Sequence, residues 1–127
     1  MNITLIAIGL VLALLAIFIL HWTTAVISIQ FFALFLAYTA CVYPGAALSD
    51  GRRFWMRIEV LVSMIFLACA CLAVWQSSRW LVGGYFLHGM WDWGHHTKRI
   101  ETRVVSWFPP ICAAFDLCVA IFIAVRY

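Results

Sequence analysis

Five apolar runs separated by short polar breaks leave this chain few ways to fold. They extend from about Ile3 to Leu20, Ala25 to Tyr43, Phe54 to Trp75, Trp80 to His96 and Trp107 to Val125. A helix needs roughly 20 apolar residues to cross a bilayer core, and most of these runs come close to that length. Of 127 residues, 67% are hydrophobic and only 10% charged, too few charged side chains for a water-soluble domain of this size to cover itself. The expected fold is therefore all-α, a single domain over residues 1–127 forming an integral membrane bundle of five transmembrane helices. The fourth run is the weak point. Its roughly 17 residues hold an acid and three histidines, which would also suit a re-entrant or interfacial helix beside four full crossings.

The breaks carry the topology. Net charge is +3, but the basic residues lie in short clusters between apolar runs, the pattern of a topology signal and not of a nucleic-acid surface. With five crossings, Arg52, Arg53, Arg57, Lys98, Arg99 and Arg103 share one side with the N-terminus, against Arg79 and Arg126 on the other. The positive-inside rule then places the N-terminus and both basic loops in the cytoplasm. The first run lacks a basic leader and a cleavage site, so it is read as a retained helix. His21 to Thr24 is too short for anything but a tight connection, with His21 at the interface. Gln30 is expected to hydrogen-bond a neighbouring helix, and the second helix to stop at Pro44-Gly45. Trp22, Trp55, Trp75, Trp80 and Trp107 fall at segment ends, where indoles anchor in the headgroup layer. The five cysteines, Cys69-Ala70-Cys71 included, read as small hydrophobes. Gly83, Gly84, Gly89 and Gly94 would let the fourth helix pack closely at the centre.

Chemistry concentrates in that fourth run, Tyr85-Phe86-Leu87-His88-Gly89-Met90-Trp91-Asp92-Trp93-Gly94-His95-His96. At about 100° per residue, with His88 at zero, Asp92 falls near +40°, His95 near −20°, His96 near +80° and Tyr85 near +60°. They share one stripe. Counting rise from the cytoplasmic ends, Asp92 and His88 lie roughly 8 and 13 Å deep, Asp116 roughly 10 Å and Glu59 roughly 8 Å. The topology thus brings every intramembrane acid to the level of the histidines, and ionisable groups at that depth usually pair and mark ion, proton or substrate sites. One reading makes His88, Asp92, His95, His96, Asp116 and Glu59 the ligands and ligand-orienting groups of a divalent metal, zinc or iron, acting on a lipid-like substrate. Tyr85, Trp91 and Trp93 would support that site, although simple helix packing also accounts for the two tryptophans. The other reading is a proton or cation relay in an accessory subunit of a larger membrane complex or a homo-oligomer. The plainest alternative has the acids and histidines pairing with each other, or with Arg57 or Arg79, to lock the helices together.

Four stretches carry a resemblance: Leu48-Ser49-Asp50-Gly51-Arg52, Glu59 in the third run, His88-Gly89-Met90-Trp91-Asp92-Trp93-Gly94-His95-His96, and Pro110-Ile111-Cys112-Ala113-Ala114-Phe115-Asp116. With them the chain resembles an uncharacterised family of small bacterial multi-pass membrane proteins bearing an H-G-x-W-D-x-x-H-H signature. That resemblance implies an inner-membrane location and supports the choice of residues, but transfers no activity. The several H-x-x-H-H boxes of membrane desaturases are absent from the sequence, and its only lysine, Lys98, lies in a loop and not where a retinal Schiff base would form.

Overall fold

The computed structural model describes residues 2–127, and among these every regular element is a helix. In chain order they are α1 (Ile3–His21), α2 (Ala25–Ala40), α3 (Val42–Asp50), α4 (Arg53–Trp75), α5 (Arg79–His96) and α6 (Phe108–Arg126). Four stretches are long and apolar enough to cross a membrane: α1, α2 with α3 as one length of 26 residues, α4 and α6. Helix α5 is not among them. Its 18 residues include the polar stripe, which lowers its hydropathy, so composition supports four candidate spans where five were expected.

The second run does not stop at Pro44-Gly45. It breaks at Cys41, and α3 restarts with Pro44 in its first turn, where a missing N–H leaves no gap in the helix. Ala40 O is the carbonyl that residue 44 would normally bond, and Ser63 Oγ on α4 donates to it instead at 2.6 Å. Gly51, at φ 71°, then closes α3 in the left-handed conformation that only glycine adopts without strain. Continuation past the proline turns Tyr43 into the bundle, 1% exposed.

Helix α5 lies against α6, α4 and α2, and α1 packs mainly on α6. Close approach depends on glycine at both contacts. A Cβ on Gly84 would stand 2.7 Å from Leu36 Cδ2 and 3.1 Å from Cys69 Cβ, and one on Gly9 would stand 2.3 Å from Ile111 O. Around these contacts Phe32, Leu36, Phe66, Leu81, Val119 and Ile123 form the apolar core. Gln30 makes no hydrogen bond among the described residues: it faces outward, because α2 turns Phe32 and Leu36 inward instead.

Candidate functional site

The i, i+4, i+7 spacing of His88, Asp92 and His95 places all three on the buried face of α5, below Leu81 and Tyr85. Helices α5 and α6 pack along their length, so Asp116, eight residues into α6, meets His88, eight residues before the end of α5. His88 donates from Nδ1 to Asp116 Oδ2 at 2.6 Å, and the same nitrogen lies 3.3 Å from Asp92 Oδ2. Tyr43 donates its hydroxyl to Asp92 Oδ1. Donor atoms of His88, Asp92 and Asp116 all lie within 4.8 Å of one another, in side chains essentially sealed from solvent.

A second group forms one turn further along. Glu59 Oε1 accepts from Thr102 Oγ1 at 2.6 Å, Glu59 Oε2 accepts from Trp91 Nε1 at 3.0 Å, and His95 Nε2 lies 3.2 Å from Oε1. Tyr43 links the two groups, its ring stacked on His95 with centroids 3.8 Å apart and planes within 3°. Thr102 reaches Glu59 because the α5–α6 connection turns back over the bundle end, burying that hydroxyl among otherwise exposed, charged neighbours. Among the described residues neither Arg57 nor Arg79 forms an ion pair, so the buried acids take histidine partners and not arginine ones.

Six residues were expected to gather at one site. The structure joins His88, Asp92 and Asp116 in one group and His95 with Glu59 in the other. His96 enters neither: it is half-buried, tilted against Trp93, and faces a cleft at the bundle end. Of the supporting aromatics, Trp91 holds Glu59, while Tyr85 donates to Phe32 O at 2.7 Å and so fastens α5 to α2. Trp93 is 41% exposed and touches neither group. Sequence reasoning missed Tyr43 and Thr102. Tyr43 ends an apolar run as an interfacial aromatic would, and Thr102 sits in a charged loop, so neither has a spacing signal.

A family model matches residues 3–126, all six helices and both polar groups. The chain belongs to the family of unknown function DUF6010. No curated protein and no solved structure matches it. The chemistry of this DUF6010 chain must therefore be read from its own donors. His88, Asp92 and Asp116 offer an imidazole and two carboxylates, a set that can hold a divalent ion and leave a coordination position open. Among the described residues, Asp92 Oδ2, His88 Nε2 and both ring nitrogens of His95 are buried without a hydrogen-bond partner. Buried polar atoms are normally satisfied, so each of these has capacity for a further ligand.

Proposed function

We propose that this chain is a bacterial inner-membrane protein, crossing the bilayer five times with its N-terminus in the cytoplasm, and that it binds a divalent metal at His88, Asp92 and Asp116. The membrane placement is supported by Leu14, Phe18, Leu34, Leu61 and Ile121, on α1, α2, α4 and α6, all more than half exposed. Apolar surface that broad is tolerated in lipid and not in water. One observation carries the metal reading: an imidazole and two carboxylates converge on one sealed point. With His88 protonated and both acids ionised, that point holds a net charge of −1, and either one further proton or neutral His88 with a divalent cation brings it to zero. A low-dielectric interior favours a neutral cluster, and two carboxylates beside one imidazole match the charge of a divalent cation. Zinc or iron(II) suits a mixed nitrogen and oxygen set. Binding would release the Nδ1 proton and widen the 2.6 Å contact by roughly 0.7 Å, to the ligand spacing of a four-coordinate ion.

Three protein ligands leave room for water or for the polar end of a lipid-like substrate, and such a metal would supply an activated water or a polarised carbonyl. Tyr43 would orient Asp92 from outside the coordination sphere. Elemental analysis of detergent-purified protein should find about one equivalent of a transition metal. Asp116→Asn should remove it, and Glu59→Gln, which touches only the second group, should not. Less than about a tenth of an equivalent, unchanged after reconstitution with zinc and with iron(II), would rule the reading out.

The run of proton-bearing groups from Tyr43 through Asp92 to His88 and Asp116 favours a second reading, a proton relay in an accessory subunit. It requires a proton flux in liposomes that His88→Ala abolishes, or copurification with a larger complex. A solitary protein without flux would exclude it.

A further inference from the structure

The α5–α6 connection closes a cleft of about 580 Å³ at the end of the bundle, bordered by Arg52, His96, Lys98, Glu101, Thr102 and Arg103. Cations outnumber carboxylates there three to one. Arg52 is already held by Asp50 at 2.6 Å and by Glu101 at 3.3 Å, so it stiffens the rim more than it offers charge. The other two cations differ. Lys98 makes no ion pair among the described residues, and Arg103, with 84% of its side chain exposed, has only a 3.5 Å contact with Asp50.

Lys98 also occupies an unexpected backbone position. Helix α5 ends with Arg99 N–H on Gly94 O at 3.0 Å and Lys98 N–H on His95 O at 3.1 Å, a terminus whose left-handed residue is usually glycine. Lys98 takes that position at φ 57°. A side chain there is less favourable than glycine, and that of Lys98 is exposed with no ion-pair partner among the described residues. Non-glycine residues in this conformation are uncommon and cluster at ligand sites.

We propose that this cleft binds a phosphate group, with the Lys98 ammonium and the Arg103 guanidinium supplying the charge. Arginine's planar fork matches the paired oxygens of a phosphate, and lysine adds a point charge. The volume falls in the usual range for small-ligand sites, so the phosphate arrives attached to something larger. Two sources share this chemistry: an anionic phospholipid headgroup and a water-soluble phosphate ester. The lipid source rests on the membrane placement proposed above, and neither source depends on the metal.

The test is the melting temperature of the full chain in neutral detergent, followed by tryptophan fluorescence against inorganic phosphate and dihexanoyl phosphatidic acid, with potassium chloride at equal ionic strength as control. Both probes should raise it saturably. Lys98→Gly should leave the unliganded protein as stable or more stable, yet weaken both affinities about tenfold, and Arg103→Gln should weaken them similarly. Tighter binding of phosphatidic acid than of phosphate assigns the site to a lipid headgroup, and equal binding to a soluble ester. No saturable rise, or a rise that Lys98→Gly and Arg103→Gln leave unchanged, overturns the proposal. Metal content measured on the same samples separates the two ideas: a metal-loaded protein blind to phosphate condemns the cleft alone, and a metal-free protein that binds phosphate condemns the metal alone.

Discussion

Asp92 is the residue on which both polar groups turn. One carboxylate oxygen faces His88, and the other accepts from Tyr43, whose ring covers His95. Tyr43→Phe keeps that ring stack and removes only the hydroxyl. It should leave the fold intact while weakening metal binding about 10- to 100-fold, the usual cost of losing a ligand's outer partner. Competition with a chelator of known affinity measures this, and an unchanged affinity would mean that Tyr43 plays no part in orienting Asp92. His88, Asp92, His95, Glu59 and Asp116 were legible in the sequence because ionisable groups inside apolar runs are costly and helical periodicity says which of them share a face. Tyr43 and Thr102 were not, since a tyrosine at a segment end and a threonine in a charged loop are ordinary there. His96 shows the limit of counting by angle: 100° per residue puts it at the stripe's edge, and as the last residue of α5 it faces the cleft.

At the level of elements, the break between α2 and α3 decides whether Tyr43 reaches Asp92 at all. A Pro-Gly pair after an apolar run reads as a stop, and from local sequence that reading was reasonable. What overrides it is a distant partner, the Ser63 hydroxyl that takes the carbonyl of Ala40 and lets the chain continue as helix. Ala40 is 2% exposed, so Ser63→Ala would leave that carbonyl buried with no hydroxyl to accept from. Loss of such a partner costs about 1–3 kcal/mol. The variant should therefore unfold earlier in denaturant by that amount and, because α3 carries Tyr43, should lose part of its metal affinity with it. Stability lost with metal binding unaffected would show that α3 holds its place by packing alone.

For the whole molecule, the difference between four and five crossings turns on α5. Mean hydropathy measures what a helix would show if it stood alone in lipid, and α5 does not stand alone. Its polar atoms face α6, α4 and the inserted Tyr43, while Phe86, Leu87 and Met90 make up its outer surface, each about half exposed. A stripe enclosed inside a bundle presents lipid with an apolar face, which is the condition for polar residues to lie at membrane depth. Its antiparallel run beside α6, with His88 and Asp116 meeting midway, asks for two helices of opposite direction and similar depth. Five crossings put the termini on opposite sides. Reporter fusions in a bacterial host should accordingly find a phosphatase joined after Tyr127 active outside the cytoplasm, one joined after Arg99 inactive, and an N-terminal fluorescent protein bright inside. Termini on the same side would reduce α5 to a re-entrant or interfacial helix. The site would then open toward a membrane surface, and an occupant of His88, Asp92 and Asp116 would exchange with solvent instead of with lipid.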